Sequence, residues 1–203
     1  RLFLLSHHYR SPVDFSPKTI KEAEAGIGRI YTTLNEIDSI INNQGYPEVE
    51  VNKLNEPEMK IYNEIKMLSQ KFNQAMDEDF NTAVAIGHIY QTVRALNGYL
   101  SGRKFNKNDQ VLAVFAEVKR VFSRIGKVLG LFQTMPAEYL EMEKSRRLAR
   151  LDIGVEEIER LVEERSQARK EKDWVRADQI REGLLKKNII LEDKRDGTIW
   201  KVQ

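Results

Sequence analysis

Arg165, Arg169, Lys172 and Arg176 stand four, three and four residues apart. On a single helix that spacing gathers four cations on one face. Trp174 lies inside this run, with Asp173 and Arg176 as polar flanks. An indole in such a place either stacks on a flat partner or packs between two helices, and both readings stand. Asp178 and Asp193 add two carboxylates. Carboxylates repel phosphate but accept from exocyclic amines or a guanine edge, so beside an RNA surface they point to base choice rather than charge attraction. Arg169 can approach a base or a phosphate with two donors at once. Aromatic and guanidinium stacking together with base-edge hydrogen bonds is the chemistry that grips unstacked bases of a single strand. Arg165, Lys172 and Arg176 are the further candidates for the RNA backbone, since phosphate contacts need only placed cations.

The elements that must position these groups are short. Ile158, Leu161 and Val162 recur at helical spacing, as do Ala177, Ile180 and Leu184, which predicts two amphipathic helices. Lys172-Asp173 reads as the break between them, with Asp173 capping the second helix. After Asn188 the pattern turns to alternation over 189–193 and 198–202, separated by Lys-Arg-Asp-Gly. That is a β-hairpin whose turn takes its positive φ from Gly197. Alternation also gives Trp200 a packing role.

Upstream, Ser16-Pro17 is a helix start, with Ser as cap and Pro in the first turn. Ile20, Ala23, Ile27, Ile30, Tyr31, Leu34, Ile37 and Ile41 then form one apolar stripe, which stops at Asn42-Asn43-Gln44-Gly45-Tyr46-Pro47. A second helix starts near Glu56 and turns Met59, Tyr62, Ile65, Leu68, Phe72 and Met76 inward. A third, capped by Asn81 or Thr82, carries Ile86, Ile89, Tyr90, Val93, Leu96 and Leu100. A loop over 101–108 leads to a fourth with Val111, Phe115, Val118, Phe122, Ile125 and Leu129, ending at Gly130. Four such helices with short connections predict an antiparallel bundle. Asp77, Glu78 and Asp79 lie just before a helix start, where carboxylates compensate the dipole. A hard-cation site at loop spacing would want a turn glycine that this stretch lacks. Over 133–154, Pro136 breaks the bundle and a charged run follows, either a solvated helix or a linker. Its Lys144, Arg146, Arg147 and Arg150 either touch RNA backbone or form a solvated face.

Composition narrows the classes. The 203 residues suffice for one large or two small cores, and 41% hydrophobic content is ordinary for a globular protein. No apolar run approaches the roughly 18 residues of a membrane span. Charged residues make up 32%, yet the net charge is +2 and the pI about 8.7, so a nucleic-acid surface must be local. With no cysteine, disulfides and thiolate-bound zinc are excluded for this stretch, and the three histidines form no ligand pair. No GxGxxG motif, P-loop or Ser/His/Asp grouping is present. The opening RLFLL, without an initiator Met, reads as a buried segment of something larger.

Three separated blocks resemble cysteinyl-tRNA synthetases of bacteria, in the order found there. FLLSHHYRSPVDFS is similar to the stretch after the KMSKS loop. MDEDFNT resembles an element of the helical domain named DALR. ARKEKDWVRADQIR and IILED with GTIW resemble the C-terminus that reads the anticodon. The resemblance implies a mainly α fold: the end of a catalytic and stem-contact region over 1–15, a DALR-type bundle over 16–132, a charged linker over 133–154, and a helix-pair plus β-hairpin anticodon-binding domain over 155–203. It implies that Arg169, Trp174, Asp178 and Asp193 contact the GCA anticodon of tRNA-Cys. Val175 and Arg176 depart from the small residues often found there, adding a cation. It implies no catalytic residue, metal or cofactor in this stretch, with ATP, Mg and Zn belonging to a catalytic half that ligates cysteine to tRNA. A cytoplasmic monomer that binds neither DNA nor membrane follows. Two competing readings are a UVR-type helical interaction module, which ARKEKDWVRADQIREGL also resembles but to which GTIW and MDEDFNT are foreign, and a helical scaffold, which would bury both tryptophans.

Overall fold

The computed structural model describes residues 1–41, 48–102, 107–151, 153–194 and 197–202. Its helices are α1 (Leu2–Leu5), α2 (Pro17–Ile41), α3 (Glu56–Asp77), α4 (Thr82–Leu100), α5 (Asp109–Leu129), α6 (Pro136–Leu148), α7 (Val155–Lys170) and α8 (Trp174–Lys186), with a 3₁₀ turn at Val51–Lys53. Strands β1 (Ile189–Lys194) and β2 (Gly197–Val202) close the chain. The chain divides into two compact units, Arg1–Leu140 and Glu141–Gln203, each with its own apolar core.

In the N-terminal unit, α2 to α5 carry the expected apolar stripes, and Ile30, Ile37, Ile65, Leu68, Ile89, Leu96, Phe115 and Ile125 are buried between them. Local chemistry sets the helix starts. Ser16 Oγ accepts from the Thr19 amide at 3.3 Å. Asn55 and Glu58 form a reciprocal capping box, each accepting the other's amide at 3.0 Å. The second oxygen of Glu58 accepts from Asn108 Nδ2 at 2.8 Å, and Asn108 in turn caps α5. One buried carboxylate thus joins two helix starts, capping α3 directly and bracing the Asn108 cap of α5. α5 stops at Gly130, whose φ of 63° is the left-handed conformation that a helix terminus takes up most readily with glycine.

The expected break at 42–47 lies outside the described residues, as do residues 103–106 of the loop expected over 101–108. The α3–α4 connection is described. Asn81 caps α4, accepting from the Val84 amide at 3.2 Å. Asp79 is hydrogen-bonded by the Tyr9 hydroxyl at 2.7 Å and paired with Arg10 at 3.4 Å. The charged stretch after Pro136 is a helix, α6, with no buried residue. At the start, Leu2 and Phe3 are buried as the apolar run suggested, but Leu4 is exposed, because successive helical residues point about 100° apart. Among the described residues no helix is long and apolar enough to cross a membrane.

Candidate nucleic-acid interface

The C-terminal unit is a helical hairpin backed by a β-hairpin. Ile153, Ile158, Ile180, Leu184, Ile189 and Leu191 form its core, with Leu161, Val162 and Trp200 packed against it. The turn between α7 and α8 places the candidate site. Lys172 adopts a left-handed φ of 63°. Its amide donates to Arg169 O at 3.2 Å, and the Asp173 amide donates to Ala168 O at 2.9 Å. This pair of bonds is the Schellman closure of a helix, here with Lys in the place glycine usually takes. Asp173 then caps α8, accepting from the Arg176 amide at 3.0 Å. Trp174 is therefore the first residue of α8, and its side chain is 56% exposed. Among the described residues no other ring stacks on it.

The four-cation ladder does not form. α7 ends at Lys170, so Lys172 sits in the turn and Arg176 belongs to α8, where Glu164 holds it. Arg165, expected at an RNA backbone, is instead only 5% exposed. Its guanidinium grips Asp193 with Nη1 on Oδ1 at 2.8 Å and Nη2 on Oδ2 at 3.1 Å. The Thr198 hydroxyl donates to the same Oδ1 at 2.8 Å, and Arg169 Nη1 lies 2.6 Å from Oδ2. These donors hold the Asp193 carboxyl well below the usual carboxylate range, the Arg165 hydrogen bonds most of all and the Thr198 hydroxyl next. The same hydrogen bonds raise Arg165, and the nearby charge of Asp178 adds to the effect. A carboxyl lowered in the folded state supports the fold fully above its unfolded range near about pH 4 and loses that support as pH falls below it.

The structure thus brings Arg165, Arg169 and Asp193 into direct contact and places Asp178 within electrostatic range of Arg165. Trp174 precedes Asp178 by four residues, so the two share a face of α8. Asp178 is exposed and accepts no hydrogen bond among the described residues. Lys172 and Arg176 lie outside the contact group. Thr198 was missed, although alternation carried the signal. Asp193 falls on the same face of β1 as Ile189 and Leu191, and its partner across the hairpin is Thr198. Arg165 likewise lies seven residues after Ile158 on the apolar stripe of α7. An acid and a base on two core-facing stripes are each other's natural partners.

Two domain models match the chain: the DALR domain over residues 71–133 and the cysteinyl-tRNA ligase anticodon binding domain over residues 154–200. The chain carries both domains, in that order. Along its whole length it is 46% identical to a cysteine–tRNA ligase of Geotalea uraniireducens and 43% identical to those of Geotalea daltonii and Thermodesulfovibrio yellowstonii. It spans 42%, 42% and 40% of those relatives' lengths. The anticodon-binding match covers α7, α8, β1 and most of β2, the same elements that build the Arg165–Asp193 cluster and present Trp174. A helical scaffold would have buried Trp174. A UVR-type module would have lacked the β-hairpin.

Proposed function

We propose that this chain binds tRNA and that its C-terminal unit reads the GCA anticodon of tRNA-Cys, as part of a longer protein that ligates cysteine to that tRNA with ATP. Trp174 supplies a stacking plane, Arg169 a guanidinium for a phosphate or base, and Asp178 and Asp193 the carboxylates that select base edges. Lys172 adds a mobile cation for the backbone. The observation that carries the reading is the large exposed aromatic side chain at the head of α8, beside an arginine–carboxylate cluster, in a matched anticodon-binding domain. Chemistry that joins amino acid to RNA would use ATP, Mg and Zn elsewhere in the longer protein. The acidic run before α4 is engaged otherwise: Asp77 ends α3, Glu78 follows as its cap, and Asp79 is taken by Tyr9 and Arg10. The protein in this reading works as a cytoplasmic monomer.

The test is a binding titration of the chain against a tRNA-Cys anticodon stem-loop and the same hairpin with an altered anticodon, at two salt concentrations. A preference for GCA that survives the higher salt is expected, because base contacts release few counterions. Equal binding that vanishes with salt leaves only backbone attraction and overturns the anticodon reading. Asp178→Asn is expected to narrow the preference by roughly tenfold, since one well-placed base contact is worth about 1–3 kcal/mol of discrimination. Equal losses for every anticodon would remove Asp178 from the site.

A further inference from the structure

Asp193 accepts three hydrogen bonds and carries one further ion pair. Arg165 Nη1 and the Thr198 hydroxyl donate to its Oδ1 and Arg165 Nη2 to its Oδ2, while Arg169 Nη1 is paired with Oδ2 by charge alone, at 2.6 Å. Three hydrogen bonds leave one of the roughly four lone-pair positions of a carboxylate, on the oxygen that Arg169 lies against. A base amine that takes that position competes with the Arg169 guanidinium.

The partners of Asp193 differ in their freedom to go. Arg165 is buried, its Nε has no hydrogen-bond partner among the described residues, and withdrawal from Asp193 would strand a full charge in the core. Thr198 is fixed by the hairpin register, directly across from Asp193. Arg169 is exposed, sits in the last turn of α7 and makes a single contact with the carboxylate. Exchanging that contact for another anionic or carbonyl acceptor keeps its charge satisfied.

Resting on the RNA reading above, we propose that Arg165 and Thr198 are positioning residues that hold Asp193 in place while Arg169 trades its Asp193 oxygen for an acceptor on the bound strand, freeing that oxygen for the exocyclic amine of an unstacked base. The two moves are coupled. An RNA that offers an acceptor to Arg169 and an amine to Asp193 satisfies both, whereas uracil at the same place presents a carbonyl to the vacated oxygen. Discrimination against a base without an amine therefore depends on how firmly Asp193 is held. No covalent step is involved.

Thr198→Val removes the hydroxyl while keeping a β-branched residue suited to a strand. In the whole chain it is expected to lower the ratio of dissociation constants between the GCA stem-loop and its uracil-substituted versions by about tenfold. Thr198→Ser, which restores the donor, is expected to recover that ratio, as a merely structural role for the methyl group would not. Carbon-13 NMR of the Asp193 carboxyl in the RNA-free chain is the second readout. Titration below the usual range in the wild type and an upward move in Thr198→Val are expected. Wild-type discrimination left undiminished by Thr198→Val overturns the positioning role. Absence of any base preference in the wild type overturns the RNA reading instead. An Asp193 that titrates in the ordinary range overturns the pre-set cluster, whichever way the RNA experiment falls.

Discussion

Leu184→Ala is expected to unfold the C-terminal unit while the four-helix core of the N-terminal unit stays folded. Leu184 is 1% exposed and belongs to a core of six buried apolar residues with a few partly buried neighbours. Truncating a buried leucine removes its transfer free energy and leaves a cavity, together about 2–5 kcal/mol. A core in a unit of this size rarely supplies more than about 3–5 kcal/mol in total. The loss therefore equals most of what holds α7, α8 and the hairpin together. Hydrogen exchange reads the outcome directly. Amides of β1 and β2 and of α8 are expected to lose protection, while those of α3 and α5, whose core residues belong to a separate cluster, keep theirs. Retained protection in the hairpin would mean that the six-residue core is not what stabilises this unit. The same variant should lose any base preference, since Asp193 and Thr198 lie on the hairpin.

Periodicity made most of this architecture legible. The stripes of α2, α3, α4 and α5 were each visible as runs of apolar residues at three- and four-residue intervals, and helical periodicity is the strongest local signal a chain carries. Asp173 and Ser16 were legible as caps, and Asn81 as one of two candidates, because a short polar side chain before an apolar stripe has one main use. Gly197, with its φ of 134°, was legible for the same kind of reason. The charged stretch at 133–154 was not decided, since a helix that buries nothing leaves no stripe to read.

The candidate site was half legible. Residue types and spacing marked Arg165, Arg169, Trp174, Asp178 and Asp193, but treating the cations as one ladder required α7 to run through Lys172. The break at Lys172-Asp173 was legible from the Asp173 cap, and it is what splits the cations, with Lys172 taking the left-handed place that glycine usually fills. The error was to take Arg165 for a surface cation because arginine usually is one. Its place on the core stripe of α7, matched by Asp193 on the core face of β1, outweighed that habit. An ion pair with only its arginine buried contributes little net stability, yet breaking it strands that buried charge. Its value lies in fixing geometry, which is what a carboxylate that must choose between bases requires.

Trp174→Ala is expected to weaken binding of the anticodon stem-loop by roughly five- to 150-fold, the loss of about 1–3 kcal/mol of base stacking. With more than half of its surface exposed and no ring partner among the described residues, the indole adds little to the fold, so the melting temperature should barely move. Salt separates stacking from charge. Indole carries none, so the variant should weaken binding equally at low and high salt and leave the slope of affinity against salt unchanged. Arg169→Ala, by contrast, should flatten that slope by about one counterion if its guanidinium moves to a phosphate. Trp174→Phe, which keeps a smaller stacking plane, should fall between wild type and alanine. Fluorescence anisotropy with a labelled stem-loop measures all three variants. An unchanged dissociation constant for Trp174→Ala would return this side chain to the surface with no part in recognition. A change in the salt slope would mean that the alanine had disturbed the turn holding Arg169 rather than removed a stacked ring.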